Sequence, residues 1–161
     1  MIRNLRSGFR GGGMKRQEYE VTGMMISTRG RYALRFMIDL AEQEGDGAVT
    51  LRAISERQGI STKYLEQIVT ALNRAGLIRS VRGNQGGYLL ARTPENYTAG
   101  DILRAVEGDL SPVSCLSQSP NGCERYSICK SVRFWEGLRN AINGYIDSVT
   151  LAELVDNGTD L

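Results

Sequence analysis

The sequence contains no histidine, and this absence excludes several kinds of active site. A Ser-His-Asp triad, a Cys-His nucleophile pair and a histidine-ligated zinc site all require an imidazole. The sequence also lacks a GxxxxGK[ST] phosphate-binding loop and a GxGxxG motif after a predicted strand. The usual equipment of these enzyme classes is therefore missing, and although other enzyme chemistry stays possible, we expect a protein that is not an enzyme.

Long hydrophobic runs are absent as well. No apolar stretch approaches the roughly 18–20 residues that cross a bilayer, and residues 1–23 lack the apolar core of a secretory signal. The 41% apolar and 24% charged content is ordinary for a soluble globular protein. With 161 residues, the chain is long enough for one compact domain with a modest core. We therefore expect a cytoplasmic protein with no membrane partner.

The net charge of +2 is distributed unevenly along the chain. Residues 1–23 have five basic and two acidic side chains, a net charge of +3, and residues 24–92 have ten and six, a net charge of +4. Residues 93–161 have five basic and ten acidic side chains, a net charge of −5. A basic front and an acidic rear indicate a polyanionic partner for the first half.

Apolar periodicity predicts three helices in the first half, covering residues 28–44, 51–57 and 62–75. Gly45-Asp46-Gly47 ends the first helix, and Gln58-Gly59-Ile60 forms a tight turn between the other two. Thr50 and Ser61 are the residue types that cap helix N-termini. The third helix has one apolar stripe, formed by Leu65, Ile68, Val69 and Leu72, so its opposite face is predicted to be exposed.

A hairpin and two further helices are predicted in the rest of the chain. Strands over 77–81 and 88–91 flank a glycine-rich loop. Thr98 with Asp101 opens the next helix, and a long helix runs over about 130–148, followed by a short turn that Thr150 and Glu153 cap. The long helix has an apolar seam typical of helix pairing, formed by Trp135, Leu138, Ile142, Tyr145 and Val149.

Helix, short helix, turn, helix and hairpin, in that order, are typical of a winged helix-turn-helix protein that binds double-stranded DNA. The helix after the turn can enter a major groove with its N-terminal residues nearest the bases. The loop of the hairpin, or wing, can approach the backbone or a narrow minor groove. The predicted DNA-contacting residues are Ser61, Thr62, Lys63, Tyr64, Glu66, Gln67, Arg82 and Gly83. A flexible hairpin beside an ordinary core helix is the alternative interpretation.

The side chains in this set suit different parts of DNA. Ser61 or Thr62 can donate to phosphate, Lys63 to phosphate or guanine, and Gln67 can pair with adenine. Glu66 repels phosphate but can accept from a cytosine amine, so we expect it to select sequence rather than to add affinity.

Cys115, Cys123 and Cys129 are the only cysteines, spaced C-x7-C-x5-C in one predicted loop. Thiolates are the preferred protein ligands of iron–sulfur clusters. Cytosolic chains rarely contain structural disulfides, and an odd count leaves one cysteine unpaired. The loop is therefore a candidate metal site, with a thiol–disulfide switch or incidental free thiols as the alternatives.

Residues 25–90 contain the segments ISTRGRYALRFMIDLA, ISERQGISTKYLEQI and LIRSVRGNQGGYLL. They resemble the family of bacterial regulators that includes IscR, NsrR and CymR, and the resemblance continues through the cysteines to Leu154. It implies a homodimer that binds palindromic or semi-palindromic operators. It also implies that Glu66 and Gln67 read bases, that Arg82 enters the minor groove, and that the long helix forms the crossed dimer interface.

The resemblance also implies a cluster, since cluster-binding members carry three cysteines in this loop and CymR-type members lack them. We expect 2Fe–2S, with 4Fe–4S as the alternative. Two positions that supply the fourth ligand in family members are here Val132 and Arg31, and neither can serve. Glu124, Glu107, Asp109, another oxygen ligand or a small molecule remain as candidates.

The chain is accordingly predicted to be mainly α with a small β-hairpin wing. Its predicted parts are a disordered basic tail (1–23), a winged helix-turn-helix domain (24–92), a linker helix with the cysteine-bearing loop (93–129), and a dimerisation helix with a C-terminal tail (130–161). The expected function is a repressor whose cluster sets operator affinity and which controls cluster biogenesis genes.

Two other functions stay open at this point. A regulator of the same fold can respond to cysteine or sulfur metabolism, nitric oxide or redox state, without a cluster or through its thiols. A small electron carrier that uses the cluster is the alternative outside the regulators, and the basic first half argues against it.

Overall fold

The computed structural model describes residues 26–83, 86–117 and 123–156. The predicted basic tail (1–23) lies outside these residues, as do the end of the predicted C-terminal part (130–161) and parts of the wing loop and the cysteine-bearing loop. The elements are α1 (Thr28–Glu42), α2 (Leu51–Gln58), α3 (Thr62–Arg74), β1 (Ile78–Val81), β2 (Gly87–Leu90), α4 (Ala99–Glu107), α5 (Val132–Ser148) and α6 (Leu151–Asp156). The predicted fold class, mainly helical with a small hairpin, is confirmed.

Helices α1, α2, α3, α4 and α6 each begin after a residue whose side chain accepts from a free backbone N–H group, whereas α5 has no such side-chain cap. Thr50 Oγ1 accepts from the N–H of Ala53 at 3.2 Å, and Ser61 Oγ accepts from that of Tyr64 at 3.3 Å. Thr98 and Asp101 form a reciprocal capping box at α4. Gly59 separates α2 from α3 with φ +65°, a left-handed conformation that only glycine adopts readily. The turn that orients α3 is therefore encoded locally.

The core lies between α1, α3, α4 and the hairpin. The apolar stripe predicted for α3 is buried, and it packs with Ala33, Phe36, Met37 and Leu40 of α1. Ile102 and Val106 from α4 and Leu151 at the start of α6 complete the cluster. Because α3 uses one face for this core, its opposite face is left to the solvent.

The two strands form an antiparallel hairpin in which Ile78 pairs with Leu90 and Val81 with Gly87. The backbone of Val49 adds a bridge to Tyr88, with N–H···O distances of 3.0 and 2.8 Å. A Cβ at Gly87 would collide with the Val49 backbone, so glycine permits this third segment to approach. The base of the wing is thus fixed to the rest of the domain, and Arg82 and Gly83, which follow β1, are exposed.

Candidate nucleic-acid interface

The N-terminal half of α3 presents a row of polar side chains to the solvent. Thr62, Lys63, Glu66 and Gln67 are exposed, whereas Leu65 and Ile68 on the opposite face are buried. Ser61 is exposed too, but its hydroxyl already accepts the capping hydrogen bond. The structure therefore places four of the predicted residues together on one accessible surface, at the end of the helix that approaches base edges in helix-turn-helix proteins.

Tyr64 has different surroundings from its neighbours. It is half-buried, and its ring packs edge-on against Tyr32 of α1 with centroids 5.5 Å apart. The Arg35 guanidinium lies 5.5 Å from the Tyr32 ring centroid, within the range of a cation–π interaction. This arrangement identifies Tyr64 as a residue that holds α3 against α1, and its contact with DNA stays a prediction.

The wing loop begins directly after β1. Arg82 and Gly83 are exposed, and Gly83 has φ +112°, a value that favours glycine. The N–H of Gly86 donates to the Gly83 carbonyl at 3.0 Å, which closes the turn. The next two residues of the sequence, Asn84 and Gln85, lie outside the described part of the chain. Arg82 thus stands at the outer end of a wing whose base is anchored in the core.

Arg29 is a residue near this surface that sequence reasoning missed. Its guanidinium donates to the backbone carbonyl of Gln67 at 3.4 Å and so links the first turn of α1 to α3. The helix-turn-helix pattern gives no signal for it, because the partner atom belongs to the backbone and lies 38 residues away. A basic residue in the first turn of α1 is the one feature of the sequence that points to it.

A buried carboxylate fixes α2 to α1 beneath the interface. Asp39 is buried and accepts from Arg57 at 3.0 and 2.5 Å and from the Gln58 side chain at 2.9 Å. The hydrogen bond to Asp39 raises the pKa of Arg57 above its ordinary value. Arg35 donates to the side chain and the backbone carbonyl of Gln58. These contacts fix Gln58, the last residue of α2, to α1, and so fix the start of the three-residue turn that leads to α3.

The three cysteines are all half-buried. Cys115 lies in a short 3-10 helix, Ser114–Leu116, and Cys129 follows another, Tyr126–Ile128, just ahead of α5. The Sγ of Cys129 lies 3.4 Å from the Ser131 hydroxyl, and hydrogen bonding by Ser131 is the main cause that lowers the pKa of this thiol. A thiol of this kind ionises more readily, which favours both metal ligation and oxidation.

The donor chemistry of the loop fits an iron–sulfur cluster, which three thiolates can ligate. Within the described residues, however, no three Cys, Asp or Glu side chains are gathered closely enough to hold a metal ion. Of the candidate fourth ligands, Glu124 is exposed, Asp109 accepts from Ser111, and Glu107 accepts hydrogen bonds from the start of α1. The structure thus favours none of them as the fourth ligand.

Helix α5 leaves much of its apolar surface uncovered. None of its residues is fully buried; Tyr145 and Leu138 of the predicted seam are exposed, whereas Trp135, Ile142 and Val149 are half-buried. Sequence reasoning missed Phe134, which is 64% exposed and lies on the same face as Tyr145, which is 71% exposed. The two residues are eleven positions apart, about three helical turns, and this spacing is the feature of the sequence that places Phe134 on the same face as Tyr145. Across the described residues, no helix has both the length and the apolar content that a bilayer crossing needs.

Comparison with known proteins gives a consistent result. The profile of the Rrf2 family, described as iron-dependent transcriptional regulators, matches residues 26–157. The regulator CymR of Bacillus subtilis is 41% identical over 131 residues, which are 81% of this chain and 89% of that protein. The regulator IscR of Serratia proteamaculans is 40% identical over 134 residues, which are 83% of this chain and 80% of that protein.

A similar structure has also been solved. It is that of CymR, described as the global cysteine regulator of B. subtilis, and it aligns with a TM-score of 0.67 at 41% identity. The alignment covers 83% of this chain and 97% of that one. Both sequence and fold therefore lead to one family.

Proposed function

The chain belongs to the Rrf2 family of transcriptional regulators, and we propose that it acts in the cytoplasm as a homodimeric repressor of iron–sulfur cluster biogenesis genes. It is a DNA-binding regulator and not an enzyme. In our proposal, α3 of each subunit enters a major groove of a palindromic operator, and each wing reaches the adjacent minor groove. The three cysteines hold a cluster, 2Fe–2S rather than 4Fe–4S, that sets operator affinity.

The observation that carries this proposal is the polar face of α3. Lys63, Glu66 and Gln67 are exposed on the side of the helix that the core does not use, and Arg82 is exposed at the end of the wing. Amide and guanidinium groups make the bidentate base contacts that specify sequence. The capped, core-anchored helix supplies the rigidity that such contacts require.

Three alanine variants test the interface, namely K63A, Q67A and R82A. Because a bidentate base contact contributes about 1–3 kcal/mol, we expect Q67A to weaken binding about fivefold to 150-fold and to relax specificity at one base pair. K63A and R82A should each reduce the slope of log affinity against log salt by about one, since each removes a positive charge whose binding releases counterions from the DNA.

The measurement is fluorescence anisotropy on a duplex that the wild-type protein selects from a random-sequence pool. Arg74→Ala is the matched control, because Arg74 is an exposed basic residue at the other end of α3. If all three variants bind the selected duplex as tightly as R74A does, the proposed interface is wrong.

The cluster would be held by Cys115, Cys123 and Cys129, with a fourth ligand still to be identified. When bound, it supplies a state that depends on iron supply and on oxidants. The chain's own contribution is positional, because Cys129 directly precedes α5. A change in the order of the loop can therefore alter how α5 pairs with its partner. That pairing sets the spacing of the two recognition helices, and half-sites lie about one helical turn apart.

Anaerobic reconstitution with iron and sulfide tests this part. We expect visible absorbance that C123A abolishes and Ser117→Ala, a nearby control, retains. Operator affinity of the wild-type protein should change on loading. A colourless wild-type protein whose operator binding is the same before and after reconstitution would contradict cluster control.

The thiols support a second candidate, a regulator that senses sulfur or redox state without a cluster. The lowered pKa of Cys129 favours reversible oxidation as well as ligation. Native mass spectrometry separates the two candidates, since it detects either bound iron and sulfide or a bridge between two cysteines.

An electron carrier, by contrast, would show no salt-dependent DNA binding. A regulator that makes six or more phosphate contacts should lose about a thousandfold in affinity between about 50 and 200 mM salt.

A further inference from the structure

One carboxylate joins the end of α4 to the start of α1. Glu107 is the last residue of α4, and its Oε1 accepts from the Ser27 hydroxyl at 2.6 Å, the Ser27 N–H at 3.2 Å and the Gly30 N–H at 2.8 Å. Hydrogen bonds to a charged acceptor are shorter and stronger than neutral ones, and a negative charge is favoured at a helix N-terminus. The first turn of α1 is therefore held by a residue about 80 positions further along the chain.

Glycine at position 30 makes room for this carboxylate. A Cβ on Gly30 would collide with Glu107 Oε1 and would lie 2.9 Å from the Ile26 side chain. Glycine inside a helix is less favourable than alanine by about 0.5–1 kcal/mol in general, so it needs a compensating role. Here that role is to admit the Glu107 oxygen to the N–H groups of the turn.

The same turn of α1 also contacts the recognition helix. Arg29 follows the N-cap by two residues and donates to the Gln67 carbonyl at 3.4 Å. Its Nε is buried without an acceptor among the residues that the structure describes, so the Gln67 carbonyl is the contact that fixes this side chain. Movement of the first turn of α1 would therefore reach α3 at the residue predicted to read a base.

On its C-terminal side, Glu107 is followed directly by the segment that leads into the cysteine-bearing loop. Gly108 follows with φ +83° and starts the segment that leads to Cys115, while Leu110 and Leu116 are buried and hold that segment against the protein. A rearrangement of the loop therefore acts on the residue next to Glu107.

We infer that Glu107 is a positioning residue for operator recognition, which fixes the first turn of α1, and through Arg29 the recognition helix, to the start of the cysteine-bearing loop. This inference rests on the proposed function, because it assigns to Glu107 the connection between the loop and the DNA-binding surface. It also gives Glu107 a role other than that of fourth cluster ligand.

The experiment uses the full-length protein and the duplex that the wild type selects from a random pool. E107A removes the acceptor, whereas E107Q keeps an oxygen that can accept the same hydrogen bonds. G30A displaces the carboxylate yet raises helix propensity, so its effect on binding is not explained by a weaker helix. Glu95→Ala is the control, since Glu95 is an exposed carboxylate whose hydrogen bond is to Thr93 in the same turn.

Operator affinity is measured well below the melting temperature of every variant, with amide hydrogen exchange as the second readout. Couplings between sites typically change affinity about fivefold to 150-fold. We expect E107A and G30A to weaken binding by at least about fivefold and to accelerate exchange over residues 27–32. E107Q should restore binding to within about twofold of the wild type, E95A should match the wild type, and E107A should still take up iron on reconstitution.

Three results would overturn the inference. E107A binding the duplex as tightly as the wild type would remove the positioning role, and loss of iron uptake in E107A would make Glu107 a ligand instead. Failure of the wild type to bind any duplex would overturn the proposed function itself, and the inference with it. If E107A does not fold, Ser27→Ala replaces it in the test. This variant removes the hydroxyl that donates to Glu107 at 2.6 Å, and we expect it to weaken binding in the same way.

Discussion

Asp39 is the side chain whose loss we expect to be most costly to stability outside the apolar core. Its carboxylate is buried and meets Arg57 through two hydrogen bonds. Removing one partner of a buried ion pair leaves the other uncompensated, and the cost is moderated here because Arg57 is partly hydrated. We predict that D39A lowers the free energy of unfolding by about 2–3 kcal/mol, measured by urea denaturation.

Glu56→Ala is the control for this prediction. Glu56 pairs with Arg52 four residues earlier in α2, and both side chains are largely exposed. Exposed pairs of this kind contribute little to stability. If E56A and D39A lower the free energy of unfolding equally, the burial of Asp39 is not the reason that the Asp39–Arg57 pair stabilises the protein.

At the same scale, residues differ in how well the sequence predicts their roles. Thr50 and Ser61 were predicted as caps because a cap bonds to a backbone group within three residues, so the pattern is local. The sequence does not reveal the partners of Asp39 and Glu107. The partner of Asp39 lies 18 residues away and that of Glu107 about 80 residues away, and only packing brings each pair together. The polar face of α3 was predictable because burial of its apolar stripe dictates it.

At the scale of elements, an ion pair between Arg104 and Asp147 joins α4 to α5, and Gly100 leaves the space for it. Arg104 contacts Asp147 at 2.6 and 2.9 Å and also Asn143 at 3.0 Å. A Cβ at Gly100 would collide with the Asp147 carboxylate and crowd Arg104. Gly30 and Gly100 thus have the same role in α1 and α4, since each admits a carboxylate from another element.

This pair predicts a pH dependence of stability. Hydrogen bonding by Arg104 lowers the pKa of Asp147, so its contribution is complete above the ordinary aspartate pKa of about 3.9 and is lost as the pH falls through the lowered value. Because both side chains are more than a third exposed, we expect D147N to cost only about 0.5 kcal/mol near neutral pH. Urea denaturation at pH 7 and pH 3 should show this difference and then its decrease.

Glu95→Gln serves as the comparison, because Glu95 is exposed and its lowered pKa comes from Thr93 within the same turn rather than from another helix. A D147N deficit that persists unchanged at pH 3 would show that the cost arises from the amide itself and not from the lost charge.

The apolar seam of α5 shows what periodicity leaves open. The spacing of Trp135, Leu138, Ile142, Tyr145 and Val149 identifies a helix that packs on something, but it does not separate the side facing its own chain from the side facing a second copy. In the structure the seam divides, with Trp135, Ile142 and Val149 half-buried and Leu138 and Tyr145 exposed, Tyr145 on the same face as Phe134. Helix α5 contacts α4 through the hydrogen bonds of Arg104 to Asn143 and Asp147, and which side of α5 this contact covers is tertiary information.

For the whole molecule, the exposed face of α5 predicts that DNA binding depends on self-association. Phe134 and Tyr145 lie on one face and are uncovered within a single chain, so a charge there should not unfold the subunit. In a dimer the same charge would be buried without a partner, which is strongly unfavourable. We predict that F134E and Y145E remain folded by circular dichroism but sediment as monomers at concentrations where the wild type is a dimer.

The consequence for DNA follows from the number of contacts. A monomer engages one half-site, so the slope of log affinity against log salt should fall to about half of the wild-type value, with a large loss of affinity for the selected duplex. Asn140→Glu, on an exposed position of the same helix, adds the same charge and should leave both properties unchanged. If Y145E sediments as a dimer and keeps the wild-type salt slope, the subunits pair through a surface other than this face of α5.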